Sequence, residues 1–86
     1  MRKISEHLLE RIKKPRFRFL SVVTEQNEQL GFVIADCGIR LVDGVVRIEH
    51  ERSVILKRLA EPQFLNILTT GAKEVYGTDK VLLCHA

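Results

Sequence analysis

The chain has 86 residues, of which 45% are hydrophobic and 29% are charged, and its formal net charge is +3. This composition excludes a disordered chain, and the length accommodates one domain, since domains contain roughly 100–200 residues. No apolar run approaches the roughly 18 residues of a membrane-spanning helix, and acidic residues interrupt the N-terminal region where a signal peptide would be apolar. We therefore expect one domain over residues 1–86, soluble and cytoplasmic, with no membrane partner.

Positive charge is concentrated in a basic N-terminal segment, residues 1–18. It carries seven basic and two acidic residues, whereas the remaining chain carries seven basic and nine acidic ones. Apolar residues at helical spacing predict a helix over residues 4–13 of this segment. They are Ile4, Leu8, Leu9 and Ile12. Pro15 predicts the end of this helix, because proline disfavours the helical conformation of the residue before it.

The next two apolar stretches predict strands. Residues 16–24 begin with an alternation of basic and aromatic residues and continue with β-branched ones, which favours a strand. A helix over about 17–29 is the alternative for this stretch. Residues 30–36 are apolar and rich in strand formers, and Gly31 argues against a helix there, because glycine is a poor helix former.

The strongest local signal is a hairpin that turns at Asp43-Gly44. Two runs of strand-forming residues, 39–42 and 45–48, flank this dipeptide, and Asp-Gly supplies the positive φ angles of a two-residue type I′ turn. The alternation places four apolar side chains together on one face and two cations on the other, toward solvent. The apolar set is Ile39, Leu41, Val46 and Ile48, and the cations are Arg40 and Arg47.

The helical period returns after the hairpin. Ser53 is a candidate cap for a short helix over residues 54–60, and Pro62 begins a second helix, since proline suits the first helical turn. A broad apolar stripe continues this second helix as far as Gly77, a residue type that commonly follows the end of a helix. Residues 80–84 predict a last strand, which the two helices connect to the hairpin as a crossover.

These elements predict the α+β fold class, with a three- or four-stranded, mainly antiparallel sheet and helices packed on one of its faces. The element order is α-β-β-β-α-α-β, or α-α-β-β-α-α-β if residues 17–29 are helical. A chain of this length buries about 60–65% of its extended surface. The core is therefore thin, and a homo-oligomer stays open as one way to add buried surface.

Motifs for catalysis, metal binding or a cofactor are missing from the sequence. It contains no phosphate-binding glycine loop, no HExxH pair and no CxxC pair. We expect Cys37 and Cys84 to be unpaired thiols in a reducing compartment, and His7, His50 and His85 to be surface or edge residues. Cys37 is a candidate nucleophile only if the fold brings His50 to it. We therefore predict no enzyme, no metal site and no cofactor.

We choose basic residues as the candidate contact residues, because lysine and arginine bind nucleic-acid phosphates. Most belong to the basic N-terminal segment, where Phe17 and Phe19 alternate with Arg16 and Arg18 and offer aromatic stacking beside positive charge. The full set is Arg2, Lys3, Arg11, Lys13, Lys14, Arg16, Arg18, Arg40 and Arg47. The alternative is a solvated helix face followed by a strand whose phenylalanine rings belong to the core.

Residues 39–83 resemble a known family in the order of their features. The hairpin IRLVDGVVRIE is followed by HERSVILKRLAEP, then by QFLNILTTGAKEVYG and by KVLLC. This order resembles the second half of the small KH-like α+β modules of bacterial replication proteins, namely the post-ATPase domain of the DNA polymerase III tau subunit and the N-terminal domain of the replication initiator. The matching positions are Leu41, Gly44, Val46, Ile48, Leu59, Pro62, Leu68 and Gly77.

The sequence departs from those modules in its first half. Residues 16–37 are longer and more strand-like than the corresponding stretch, and no tryptophan marks the first helix. The GxxG loop with which KH domains hold nucleic acid is also absent. The resemblance implies an α+β fold and an adaptor that docks other proteins at least as much as it reads nucleic acid.

We expect the function to be that of a non-catalytic adaptor or binding module in nucleic-acid metabolism. It would dock a protein partner and contact DNA or RNA backbone through residues 2–18. The alternative is a structural or oligomerising subunit of a larger complex, with no nucleic-acid contact, in which the basic segment only solubilises the chain.

Overall fold

The structure is a computed structural model that describes residues 14–86. The described residues form four helices and three strands, which confirms the α+β class. In chain order the elements are α1 (Pro15–Gln26), α2 (Glu28–Ala35), β1 (Gly38–Val42), β2 (Val45–His50), α3 (Ser53–Leu59), α4 (Pro62–Tyr76) and β3 (Val81–His85). The helix predicted over residues 4–13 lies outside the described residues.

The strand predicted over residues 16–24 is wrong, because this stretch belongs to helix α1. Pro15 is the first residue of the helix, where its fixed φ and missing N–H suit the first turn. Phe19 and Val23, one helical turn apart, are both buried. Their helical spacing outweighs an alternation of basic and aromatic residues that lasts for only four positions. The alternative prediction, a helix over about 17–29, identified the right type of element.

The strand predicted over residues 30–36 is also wrong, because most of this stretch belongs to α2. Asn27 caps the helix, since its side chain accepts a hydrogen bond from the Leu30 N–H at 2.9 Å. Gly31 does not break the helix. A Cβ at this position would lie 2.9 Å from the Thr24 Cβ of α1, so glycine is what allows the two helices to approach this closely.

The predicted hairpin is confirmed. Asp43 and Gly44 have φ angles of 51° and 75°, as a type I′ turn requires at both central positions. β1 and β2 pair antiparallel, with Ile39 opposite Ile48 and Leu41 opposite Val46. The apolar side chains therefore share the face that the sequence assigned to them, and Arg40 lies opposite Arg47 on the other face.

The three strands form one mixed sheet in the order β1-β2-β3. β3 pairs with β2 in parallel, and α3 and α4 supply the crossover that a parallel pair needs. One row of side chains across the sheet, Ile39, Ile48 and Leu83, is buried or half-buried. The next row, Arg40, Arg47 and Leu82, is half-buried or exposed on the opposite side.

The two helices after the hairpin lie close to their predicted bounds. Ser53 is the first residue of α3 and not its cap; Arg52 occupies the cap position, and no side chain caps the helix there. α4 begins at Pro62 and ends before Gly77, whose φ of 75° is the left-handed conformation that favours glycine.

The core lies between the helices and one face of the sheet. The Phe19 ring meets the Tyr76 ring edge-on with a centroid distance of 5.8 Å, and a Cβ at Gly71 would lie 3.2 Å from Phe19. The buried cluster consists of Phe19, Val23, Leu30, Ile34, Cys37, Ile39, Val46, Ile48, Leu59, Leu68 and Ala72. The opposite face of the sheet carries no described helix.

Within residues 14–86, no helix is long and apolar enough to cross a lipid bilayer.

Candidate binding surfaces

In the described part of the basic N-terminal segment, two cations are exposed and a third is held by backbone carbonyls at the end of the next helix. Lys14 and Arg18 are exposed. Arg16 instead donates hydrogen bonds from Nη2 to the backbone carbonyls of Ala35 at 3.0 Å and Cys37 at 3.3 Å. These carbonyls lie at the C-terminal end of α2, where a cation is also favoured by the helix dipole. Arg16 therefore joins the start of α1 to the end of α2.

Four of the predicted contact residues cannot be placed on the fold. Arg2, Lys3, Arg11 and Lys13 lie outside the described residues. The structure therefore brings Lys14 and Arg18 together as exposed cations at the start of one helix, and it assigns Arg16 a structural contact that the sequence did not indicate.

The other two predicted contact cations share one carboxylate on the uncovered face of the sheet. Arg40 Nη2 lies 2.8 Å from Glu49 Oε2, and Arg47 Nη2 lies 3.8 Å from the same oxygen. A hydrogen bond with the Cys84 side chain raises the pKa of Arg47. Arg47 Nε has no hydrogen-bond partner among the described residues. Glu49 thus neutralises part of the charge that the sequence pattern suggested for this face.

His50, predicted to be a surface or edge residue, is half-buried at the end of β2 and lines an open depression. Its side chain is only 10% exposed, and Nε2 lies 3.2 Å from Asp36 Oδ2. Nδ1 accepts the backbone N–H of Arg52 at 2.9 Å. Both ring nitrogens are therefore engaged in hydrogen bonds, and neither is left to act as a general base. His50 instead links the ends of α2 and β2 to the start of α3.

An open depression of about 530 Å³ is lined by this histidine together with Asp36, Glu49, Glu51 and Arg52. Within residues 14–86, no group of three or more histidine, cysteine, aspartate and glutamate side chains is arranged to hold a metal ion. The hydrogen bonds of His50 make this cluster a structural junction of three elements.

The Cys37 thiol is paired with backbone and not with histidine. It donates to the Val33 carbonyl oxygen at 3.5 Å, and burial, with a smaller contribution from Asp36, raises its pKa to about 11. A thiol with such a pKa is protonated and a poor nucleophile near neutral pH. Cys37 and Cys84 are both free, as expected from the sequence.

The feature that sequence reasoning missed is an apolar groove of about 280 Å³ between α2, α3 and the start of α4. Its lining residues are Gln29, Leu30, Val33, Ile55, Arg58, Leu59 and Phe64. Five of these seven are apolar. No sequence signal identifies the groove, because its walls come from three helices and neither α2 nor its packing against α3 was expected.

Two exposed apolar side chains lie on the helices that line this groove. Phe32 of α2 is 73% exposed and Val54 of α3 is 66% exposed. A single exposed apolar side chain needs no explanation, but Phe32 and Val54 are exposed on the two helices that form most of the groove. The groove with these two side chains is called here the α2–α3 surface.

No protein-family model matches this sequence, and searches of curated proteins and of solved structures found no similar protein.

Proposed function

We propose that this chain is a non-catalytic binding module of nucleic-acid metabolism, which docks a protein partner and contacts nucleic-acid backbone through its basic N-terminal segment. The observation that supports docking of a protein partner is the α2–α3 surface. Interfaces between proteins are centred on buried aromatic and aliphatic anchors in apolar pockets. Phe32, at 73% exposure, is an anchor of this kind that finds no cover among the described residues.

The order of elements supports the assignment to nucleic-acid metabolism. From β1 onward the chain runs through hairpin, two helices, a glycine at the end of the second helix and a strand, as in the KH-like replication modules that residues 39–83 resemble. Residues 16–37 have a strand-like sequence that sets the chain apart from those modules, but most of them form two helices in the structure.

The nucleic-acid part of the proposal depends on exposed cations of the basic N-terminal segment. Lys14 and Arg18 are exposed, and each cation that neutralises a phosphate releases counterions, so binding must weaken as salt increases. Arg16 is excluded from this role because its guanidinium is held by the end of α2.

A titration with fluorescent single-stranded and double-stranded oligonucleotides at low and moderate salt tests this part. We expect binding at about 50 mM salt that weakens steeply by about 200 mM. The variant carrying Lys13→Ala, Lys14→Ala and Arg18→Ala should bind more weakly and with a shallower salt dependence. A control with the same loss of charge elsewhere, Lys57→Ala, Lys73→Ala and Lys80→Ala, should bind like the original chain. No binding at low salt, or equal weakening in both variants, contradicts the proposal.

Site-specific photo-crosslinking in the native cells tests the docking part. A benzophenone amino acid at position 32 should yield a defined adduct with one protein, whereas the same group at Thr70, an exposed position of α4, should not. We expect the crosslinked protein to act in nucleic-acid metabolism. The same adducts from both positions, or none from position 32, would remove the α2–α3 surface as a docking site.

The second candidate function is an oligomerising or structural subunit. The edge strand β3 favours it, because this strand pairs with β2 alone among the described residues, carries the exposed Leu82, and an edge strand can pair with another chain. Light scattering over a dilution series distinguishes the two functions. A mass that falls on dilution to that of one chain supports association of copies, whereas a monomer at every concentration argues against it.

A further inference from the structure

We infer that the α2–α3 surface binds an amphipathic helix of another protein, with apolar side chains toward the groove and a carboxylate toward Arg58. This inference rests on the proposed docking function and specifies the chemistry of the partner at that site.

The lining of the groove suits a helical ligand. Leu30 and Val33 come from one wall, Ile55 and Leu59 from the other, and Phe64 from a third helix. A groove between helices receives the apolar side chains of a helix at spacings of three and four residues. Phe32 and Val54, both exposed, lie on the two helices that form these walls.

Charge specifies the ligand further. Arg58 is the one charged residue among those that line the groove. It is exposed, and among residues 14–86 it has neither an ion-pair nor a hydrogen-bond partner for its side chain. Lys57 precedes it in the last turn of α3. Glu28 and Glu61 are neighbours of this surface in sequence but do not line the groove, so the wall formed by α3 favours an acidic group on the ligand.

Selection from a phage-displayed library of helical peptides tests the inference on the full chain. We expect enriched peptides to combine apolar residues at helical spacing with aspartate or glutamate on one flank. Selection on the Arg58→Glu variant should enrich lysine or arginine at that flank instead. The control, Lys73→Glu, makes the same change of charge on an exposed residue of α4 that does not line the groove, and should keep the acidic preference.

Affinities of one selected acidic peptide make the test quantitative. Arg58→Glu should weaken its binding about three- to tenfold, the range expected when a partly exposed ion pair is replaced by repulsion. Gln29→Trp, which fills the groove from an exposed lining position, should weaken it at least as much. Lys73→Glu should change it less than about twofold. Circular dichroism and thermal melting of each variant establish that the fold is kept.

Several results overturn the inference. The absence of enriched peptides, enrichment without acidic residues, or binding that survives Gln29→Trp would each show that the groove does not take such a helix. Peptide binding that appears only after Leu8→Asp and Leu9→Asp in the full chain would show that the chain's own N-terminal residues, and not another protein, occupy the groove. In each case a defined crosslink from position 32 would still uphold docking of a different kind, so the two proposals fail separately.

Discussion

Replacing Arg16 by alanine should destabilise the protein, whereas replacing Arg18 by alanine should not. The two arginines lie two residues apart on α1, and the sequence places both among the candidate phosphate contacts. Only Arg16 holds the end of α2, through hydrogen bonds of 3.0 and 3.3 Å to the carbonyls of Ala35 and Cys37. Arg18 is exposed on the same helix and serves as the matched control.

The expected loss in the free energy of unfolding is estimated from those two hydrogen bonds. A hydrogen bond that involves a charged group contributes about 1.5–3 kcal/mol when buried, and a cation at a helix C-terminus adds about 0.3–1 kcal/mol. The bond to Ala35 is exposed and the bond to Cys37 only partly buried, so water replaces much of what is lost. We therefore expect Arg16→Ala to lower the free energy of unfolding by about 1–2 kcal/mol, and Arg18→Ala by less than about 0.5 kcal/mol.

Thermal and urea unfolding, followed by circular dichroism, measure this difference. In a domain of this size each kcal/mol corresponds to a Tm change of about 4–8 °C. Oligonucleotide titration of the same two proteins completes the experiment, since Arg18→Ala should weaken phosphate binding without affecting unfolding. Equal destabilisation by the two substitutions, within about 0.5 kcal/mol, would refute the role assigned to Arg16.

Two further predictions concern glycine packing and thiol chemistry. Gly31→Ala should lower the free energy of unfolding by about 1–3 kcal/mol, because its Cβ would lie 2.9 Å from the Thr24 Cβ. The control is Gly38→Ala, whose Cβ would meet Glu49 only at 3.6 Å or beyond. Equal losses of stability in chemical unfolding of the two variants would contradict the close approach of α1 and α2. Cys37 should react with a disulfide reagent at pH 8 at least about tenfold more slowly than half-buried Cys84, and only unfolding should abolish the difference.

The Cys37 thiol also predicts a pH dependence of stability. Its pKa rises from 9.0 to about 11 in the folded protein, so between these values the unfolded chain loses a proton that the folded chain keeps. The unfolded state is then favoured, and stability should fall as pH rises from about 9 to 11. Cys37→Ala should remove this part of the decline, as urea unfolding at several pH values would reveal; an unchanged slope would contradict it.

The second half of the fold was predictable because its signals are local. Asp43-Gly44 supplies positive φ angles that few other dipeptides adopt, and the alternation around it has only one register that buries Ile48 and Val46 together. The start of α4 at Pro62 was also predictable, because the effect of proline on the backbone needs no tertiary partner.

The first half was not predictable, because tertiary packing overrides a weak local pattern there. Residues 16–24 combine strand-forming residue types with a helical spacing of Phe19 and Val23, and only their burial against α4 decides between the two. Gly31 is unfavourable for an isolated helix, and its place in α2 becomes favourable only where α1 crosses closely.

Some features of the candidate surfaces were likewise predictable from the sequence, and others were not. The sequence alone determined that cations concentrate in the basic N-terminal segment and that Arg40 and Arg47 share a face of the hairpin, since charge and alternation are properties of neighbouring residues. Only the tertiary structure decided that Arg16 is held by α2 and that Glu49 lies between the two hairpin arginines. It alone assembled the α2–α3 surface, because a groove between three helices exists only once residues far apart in the chain are packed together.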